Sequence, residues 1–183
     1  MTDLANRIIR ISQTATRATH RDVCVIDDAL ISQKTFDSRK NPRGREIHVF
    51  HENDGESLQR MLNALQPGTY TQPHRHKTKV EAVLLIQGAL GFLTFEEDGT
   101  IDNSKLVLLA RKSGNIGIDC RAGYWHTFVA LAPDTVVVEV KAGPYDAATD
   151  KELAPWAPAE NSSNGLAYLA ELEDRFRNYF ELG

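Results

Sequence analysis

Two histidines one residue apart, with a glutamate five positions later, are the residues whose types and spacing first suggest chemistry. They are His74, His76 and Glu81, within the stretch GTYTQPHRHKTKVEAVLLIQG that begins at Gly68 and ends at Gly88. Neutral imidazole nitrogens suit first-row transition metals, and a carboxylate adds a charged oxygen ligand. Side chains alternate between the two faces of a strand, so the histidines would point the same way, about 7 Å apart. The pattern predicts a metal site built on β-strands.

Further ligands must come from other strands. Glu81 is an odd number of positions from His76, so one regular strand would send it to the opposite face. The intervening KTK is therefore expected to hold a turn or bulge that starts a new strand. His126 follows a glycine-bearing turn at the start of an apolar run and is the candidate fourth ligand. Cys120 lies nearby and is an alternative soft ligand.

The spacing of residues 68–88 resembles the first motif of the cupin family, G-x5-H-x-H-x4-E-x6-G, at every fixed position. Five fixed residues would coincide by chance in such a chain with a probability on the order of one in ten thousand. The second cupin motif, G-x5-P-x-G-x2-H-x3-N, is resembled only in part. Gly123 and His126 stand at the right interval, whereas Asn115, Arg121 and Ala130 replace its first glycine, its proline and its asparagine.

Longer segments narrow the resemblance to the WbuC-type cupin-fold metalloproteins, which are named for bacterial O-antigen gene clusters. They are QRMLNALQPGTYTQPHRHKTK, AGYWHTFVAL and EVKAGPYDAATDKELAPWAP, and the likeness covers about residues 29–160. The resemblance implies a jelly-roll (double-stranded β-helix) barrel with His74, His76, Glu81 and His126 as metal ligands. It also implies a bacterial cytoplasmic protein linked to surface polysaccharide synthesis, and cupins commonly form homodimers. Three histidines and a carboxylate can hold one divalent transition metal ion, whether Zn, Ni, Fe or Mn.

The elements that must position these ligands are short strands. From residue 68 onward, apolar runs alternate with turn signals at regular intervals, and Asp98-Gly99 is a strong hairpin signal. The runs are KVEAVLLIQ, ALGFLTFEE, KLVLLA, IGIDC, HTFVALA and TVVVEVKA. This spacing is typical of an antiparallel sandwich or barrel, so the fold is expected to be mainly β. We assign the barrel to residues 67–145.

The flanking segments have a different character. Residues 1–66 are predicted to form an N-terminal α/β extension, in which Leu4, Ile8 and Ile11 have helical spacing. In that extension VCVIDDALISQKTFDSRK predicts a short strand and then a helix capped by Asp27 or Asp28, and EIHVFHE predicts a strand. The run GESLQRMLNAL fits a helix or a strand. Residues 146–183 are expected to be an extended segment and a C-terminal helix whose apolar face packs on the barrel or on a second subunit. That face carries Leu169, Leu172, Phe176 and Phe180.

Three residues near the end of the barrel are candidate catalytic groups. Glu139 and Lys141 share one face of a strand, where they form either an outward ion pair or a proton-transfer pair lining a cavity. Tyr145 follows in a GPY turn that could close the barrel mouth. Upstream, the basic run of Arg39, Lys40, Arg43 and Arg45 is either a solvated loop or an anion-binding edge.

Composition excludes several classes of function. The chain has 183 residues, 42% hydrophobic and 25% charged, which suits a globular domain with a sizeable core. Its net charge of −4 leaves no basic stripe for nucleic acid. No run has the length of a membrane span or signal core, so we expect a cytoplasmic protein with reduced cysteines.

Two classes of function fit these features. One is a metalloenzyme that isomerises, epimerises or oxygenates a small polar molecule such as a sugar or nucleotide sugar. The other is a non-catalytic module that binds a small molecule through its metal.

Overall fold

Two β-sheets face each other, and one α-helix packs on the outer side of each. The computed structural model describes residues 7–19, 23–160 and 162–182. The larger sheet has seven strands in the order β1-β2-β3-β4-β11-β6-β9, and the smaller has five in the order β12-β5-β10-β7-β8. Every pairing is antiparallel except that of β2 with β3. This two-layer arrangement is a jelly-roll, and the expected mainly-β fold is confirmed.

The element bounds are as follows. The strands β1 to β12 span Ile8–Ser12, Ala15–Ala18, Arg45–Val49, Leu58–Leu65, His74–Arg75, Glu81–Gln87, Ala89–Phe95, Val107–Ala110, Gly117–Cys120, Trp125–Ala130, Thr135–Ala142 and Glu152–Leu153. The helices α1 and α2 span Asp28–Lys40 and Ser163–Tyr179. Two 3₁₀ helices span Asn103–Lys105 and Arg111–Ser113.

Apolar side chains fill three layers between these elements. The layer between the sheets contains Leu65, Val83, Leu90, Leu109, Ala130 and Val137. On the outer face of the larger sheet, Leu62, Ala64 and Val136 pack against Ile31 of α1. On the outer face of the smaller sheet, α2 buries the predicted row of Leu169, Leu172 and Phe176. The expected docking of the C-terminal helix is thus observed.

The inward-facing row of each central strand changes from apolar to polar at the same end of the barrel. On β11 the buried Val137 is followed two positions later by Glu139, and on β6 Val83 is preceded by Glu81. Because residues two apart share a face of a strand, each pair points into the space between the sheets. The other end is a packed apolar core, so the polar groups collect at one mouth.

The flanks of the predicted barrel extend the same sheet. In the segment assigned to an N-terminal extension, β3 and β4 pair with each other, and β4 pairs with β11 along eight residues from Leu58 to Leu65. The run that fitted either a helix or a strand is therefore the strand β4. Helix α1 begins after the predicted cap, since Asp27 Oδ1 accepts a hydrogen bond from the Leu30 N–H at 3.0 Å.

Two local predictions were wrong. Residues 7–19 form the β1–β2 hairpin where a helical spacing was noted, and Leu4 lies outside the described residues. The cause is a long-range contact. Strand β2 forms parallel backbone hydrogen bonds with β3, and this pairing favours a strand over the helix that the spacing of Ile8 and Ile11 predicted. Residues 23–26 are not a strand: Val23 is 72% exposed, and no described strand pairs with this segment.

Candidate metal centre

Three histidine rings meet at the polar mouth of the barrel. His74 lies on β5, His126 is its direct partner on β10, and His76 follows β5. Each side chain offers a ring nitrogen, and these three atoms all lie within 4.8 Å of one another. All three residues are buried, with at most 5% of their surface exposed. The first and second cupin motifs therefore meet in space, and the Gly123 N–H donates to the His76 carbonyl at 2.8 Å.

Backbone carbonyls fix the orientation of all three rings. The Nδ1 atoms of His74, His76 and His126 lie 3.0, 2.5 and 2.9 Å from the carbonyl oxygens of Gln72, Asp150 and Tyr124. A carbonyl oxygen can only accept, so each Nδ1 carries a proton, and each ring presents an Nε2 lone pair when it is neutral. This is the orientation that histidine ligands commonly adopt.

One buried nitrogen at the centre lacks a partner. His76 Nε2 is buried and forms no hydrogen bond with any described residue, and burial holds the pKa of His76 below its usual value. An unpaired buried acceptor is costly in a folded protein. A metal ion coordinated by the Nε2 atoms would satisfy it, so the residues present fit a transition metal ion.

Glu81 stands at one side of the three rings. Its carboxylate lies 3.1 Å from His126 Nε2 and 3.8 Å from His76 Nε2. The KTK segment bends between β5 and β6, as the spacing required, and so brings Glu81 to the same interior. Cys120 faces Glu81 across β6 and β9, but its Sγ approaches the Nδ1 side of His126, at 3.9 Å. The sulfur is therefore on the side of the ring away from the other histidines.

The protonation states of His126, Glu81 and His74 depend on one another. Burial opposes protonation of His126, but hydrogen bonds with Cys120 and Glu81 outweigh it and raise the pKa of His126 to about 10. Burial likewise opposes ionisation of Glu81, yet hydrogen bonds from His126 and Glu139 outweigh burial and lower the pKa of Glu81. Without a metal, the centre thus holds a carboxylate–imidazolium pair. His74 is different: burial holds its pKa well below 6.5, and the charge of His126 lowers it further.

The candidate catalytic pair on β11 faces inward. Glu139 and Lys141 are 7% and 8% exposed, and their charged atoms are 4.0 Å apart. Asn63 Nδ2 donates to Glu139 Oε2 at 2.7 Å. Burial and the negative charge of Glu81 raise the pKa of Glu139 to about 8. Glu139 is therefore a carboxylic acid that can hold a proton near neutral pH, which is the property of a general acid.

Asp150 also lies at the centre, although no pattern in the sequence predicted it. Its carbonyl accepts from His76 Nδ1, and its buried carboxylate accepts from Lys141 at 2.8 Å and Lys79 at 2.7 Å. The residue lies in an irregular segment, so no periodicity marks it. Its role follows only from the crossing of residues 146–153 over the barrel mouth, where β12 pairs with β5.

Tyr145, the third candidate catalytic residue, is not brought to the histidines by any described contact. It is 43% exposed, and its backbone N–H donates to the Asp54 carbonyl. Trp125 is buried in the core that α2 covers, where Arg75 lies over its ring. It therefore packs within the protein.

Comparisons with known proteins give only partial or distant matches. A family model described as a domain of unknown function (DUF6016) matches residues 26–107, which is less than half of the chain. No curated protein matches. Among similar solved structures is KdgF from Halomonas sp., with 17% identity over 57% of this chain and 82% of that one, and a TM-score of 0.43. CapF from Staphylococcus aureus, titled a capsular polysaccharide assembling protein, has 18% identity over 58% and 31%, with a TM-score of 0.47. Oxalate decarboxylase from Bacillus subtilis has 18% identity over 54% and 24%, with a TM-score of 0.42.

The chain has a cupin fold. The two-sheet topology and the meeting of the two motif segments at one mouth define this fold. The likeness to the solved structures is distant. The chain also spans less than a third of the CapF and oxalate decarboxylase chains. Among the described residues, no helix combines the length and apolar character needed to cross a membrane.

Proposed function

We propose that this cupin is a mononuclear metalloenzyme whose ion is held by His74, His76, His126 and Glu81. The observation that carries the proposal is that three buried histidines each bond through Nδ1–H to a backbone carbonyl, while one ring nitrogen from each lies within 4.8 Å of the others. A cation there would replace the His126 proton as the countercharge of Glu81. The donor set suits Zn, Ni, Fe or Mn.

The residues around the centre supply proton transfer. When bound, a divalent transition ion supplies Lewis acidity toward a carbonyl or hydroxyl oxygen. Glu139 touches Glu81 and keeps a proton near neutral pH, so it can donate that proton to a substrate oxygen or carbon. Lys141 lies on the same face and is anchored by Asp150. Together they fit an isomerase, an epimerase or an oxygenase that acts on a small polar molecule.

We propose, with the WbuC-type resemblance as support, that the substrate is a sugar or nucleotide sugar of surface polysaccharide synthesis. The small-molecule partner and the homodimer stay predictions.

A second function, a non-catalytic binding module, is favoured by the burial of the centre. The four proposed ligands are at most 5% exposed, and structural zinc sites are closed with four protein ligands. A small molecule would then bind elsewhere in the mouth while the metal stabilises the barrel. The two functions differ in whether the ion keeps an open coordination position.

Elemental analysis tests the metal. Protein purified without added metal, and again after dialysis against Fe(II), Mn, Ni and Zn with removal of excess, should carry about one equivalent of a transition metal. A His74→Ala/His126→Ala variant should carry none. His51→Gln, which changes a buried histidine outside the cluster, should keep the parent content. A parent that stays metal-free under all conditions contradicts the proposal.

Cobalt substitution separates the two functions. An open centre binds water and gives the weak visible absorption of five- or six-coordinate Co(II), which should change when azide is added. A closed centre gives the intense absorption of tetrahedral Co(II) and no response to azide. The first outcome supports the enzyme, and the second supports the module.

A further inference from the structure

The outer face of the larger sheet is apolar even where α1 does not cover it. An antiparallel sheet with one face in water normally alternates apolar and polar residues along its strands. On the two central strands β11 and β6, however, the outward-facing residues are all apolar. They are Val136, Val138, Val140, Ala142, Ala82, Leu84 and Ile86. Ile31 of α1 packs against Val136 at one end of this face, whereas Leu84 further along it is 48% exposed.

A ridge and a groove lie side by side on the exposed part of this face. The ridge is formed by Leu84 and by Ile116, which lies shortly before β9 and is 61% exposed. Val138 and Val140 line the groove together with Ile26, and the volume of the groove is about 480 Å³. Contiguous exposed apolar surface marks an interaction site, and we call these five residues the outer patch.

Opposite charges stand at the two ends of one row of residues across this patch. Strand pairing sets Arg60, Val140, Ala82 and Asp119 side by side on β4, β11, β6 and β9. Neighbouring strands are about 4.8 Å apart, so the two charged residues are about 14 Å from each other. Asp119 is exposed, and its carboxylate forms no hydrogen bond or ion pair with any described residue. Among the described residues Arg60 has one ion pair, with Glu56 at 2.9 Å, so donors of its guanidinium remain for a second carboxylate.

We propose that the outer patch is the interface of a homodimer in which two copies of this chain pack sheet against sheet around a twofold axis. The axis runs parallel to the strands and lies above the middle of the charged row. It turns the row end for end, so Arg60 of each protomer meets Asp119 of its partner. In the neighbouring row Val138 stands beside Leu84, so the same axis brings the ridge of each protomer to the groove of its partner. A twofold interface requires such self-complementarity, and the surface therefore fits a second copy of this chain.

Helix α1 fits beside this interface and leaves it open. The helix packs on β3 and β4, on the side of the sheet away from β9. The same twofold axis sets the partner's helix over the β9 side, where Ile116 is exposed. Packed sheets lie about 10 Å apart and a helix is about 10 Å in diameter, so each helix would fill the layer between the two sheets at one flank.

Sedimentation velocity of the full chain across the micromolar range tests the interface. The parent should sediment with the mass of two chains. Leu84→Glu places a charge in the apolar ridge and should weaken dimerisation about 100-fold or more. The matched control is Leu166→Glu, which changes an exposed leucine of α2, on the outer side of the smaller sheet, and should dimerise like the parent. A parent with the mass of one chain at every concentration, or equal dimerisation of Leu84→Glu and the parent, would overturn the proposal.

Charge reversal tests the pairing itself. Arg60→Asp alone, or Asp119→Arg alone, sets two like-charged pairs across the interface, so each should weaken dimerisation about 10-fold at low ionic strength. A mixture of the two variants should recover the parent affinity. In the mixed dimer the two introduced charges meet each other, and the native Arg60 of one chain meets the native Asp119 of the other. Asp119 is exposed, so its variant is informative even if Arg60→Asp fails to fold. If the mixture dimerises no better than either variant alone, the proposed pairing is wrong.

Metal content keeps this result separate from the proposed function. The inference goes beyond that function and gives the expected homodimer a defined interface. None of the substituted residues is a proposed ligand, so all the variants should retain the metal stoichiometry of the parent. A parent that dimerises through the outer patch but binds no metal keeps the interface and defeats the metalloenzyme. A monomeric parent that binds metal does the reverse.

Discussion

The buried carboxyl groups of Glu81 and Glu139 interact inside the barrel, and their pKa values move in opposite directions. Glu81 is held ionised by hydrogen bonds from His126 and Glu139, which outweigh its burial. Glu139 is held protonated by its own burial and by the charge of Glu81, which raise its pKa to about 8. Two acids on neighbouring strands thereby take different roles, one as a metal-ligand candidate and the other as a proton donor.

Glu139 should make the metal-free protein less stable as pH rises. Its folded pKa of about 8 lies above the usual glutamate value of 4.5, so between these values the folded state holds a proton that the unfolded state has lost. The free energy of unfolding contributed by Glu139 is therefore complete below about pH 4.5 and is lost as pH rises through 8. Glu139→Gln keeps a neutral side chain, so the decline of Tm between pH 5 and 9 should be shallower than in the parent.

Thermal melts of metal-free protein measure this difference. Each 1 kcal/mol corresponds to roughly 2–4 °C for a domain of this size. Glu96→Gln, which changes a carboxyl exposed to solvent, is the control and should follow the parent. Parallel Tm curves for Glu139→Gln and the parent would show that Glu139 ionises normally.

Metal binding should release a proton from His126. The pKa of His126 is about 10 in the metal-free protein because Glu81 and Cys120 hold the proton against the effect of burial. Coordination through Nε2 requires that proton to leave, so at pH 7.5 about one proton should be released per ion bound. The apparent affinity should then rise about tenfold per pH unit toward pH 10.

Calorimetry of metal binding in buffers with different ionisation enthalpies counts the released protons. In Glu81→Gln the proton is held less firmly, so proton release at pH 7.5 should fall. Binding without proton release in the parent would mean that His126 is already neutral there.

Asp150 should position His76 and Lys141, and so tune the metal site without touching the ion. Asp150→Asn removes the countercharge of Lys141, which is 8% exposed, while the backbone carbonyl to His76 remains. The Asp150 carboxylate also lies 3.9 Å from Nδ1 of the proposed ligand His76, and loss of such an outer partner typically lowers metal affinity 10–100-fold. Competition with a chelator measures the affinity, and Asp54→Asn, in an exposed ion pair with Arg17, is the control.

The double variant Asp150→Asn/Lys141→Met separates positioning from simple loss of stability. It removes the buried positive charge of Lys141 together with its countercharge on Asp150, so Tm should recover relative to Asp150→Asn. If Asp150→Asn binds metal as tightly as the parent, Asp150 has no influence on the centre.

Cys120 should not be a ligand. Its sulfur lies on the Nδ1 side of His126 and 3.9 Å from that atom, whereas the proposed ligand Glu81 lies 3.1 Å from the opposite ring nitrogen, Nε2. Cys120→Ser should therefore keep one equivalent of metal, and Co(II)-loaded parent should show no thiolate-to-cobalt charge-transfer band in the near ultraviolet. Loss of metal in Cys120→Ser, with its fold intact by circular dichroism, would reinstate the sulfur ligand.

Local patterns in the sequence predicted most of the strands and the meeting of the histidines. Strand runs such as TVVVEVKA are recognisable because alternation and turn residues are local properties. The same holds for the cap at Asp27, which needs only its own helix. The β1–β2 hairpin was missed because its strands gain hydrogen bonds from β3, a partner distant along the chain.

The face on which Glu139 and Lys141 lie could not be read from alternation. Period-two spacing says that they share a face with each other, but not whether that face points to solvent or into the barrel. The decision came from the packing of β11 between β4 and β6, with α1 covering the opposite face at Val136.

The sequence by itself determined the strand order along the chain, the donor types and the spacing that brings His74, His76, Glu81 and His126 toward one place. Only the tertiary structure decided which way the rings turn, that Asp150 orients His76, and that Glu139 and Lys141 face into the barrel. The physical reason is the distance along the chain between the residues that interact. Strand propensity and ligand spacing depend on neighbours along the chain, whereas hydrogen bonds to carbonyls, desolvation and ion pairing depend on segments that only the folded barrel brings together.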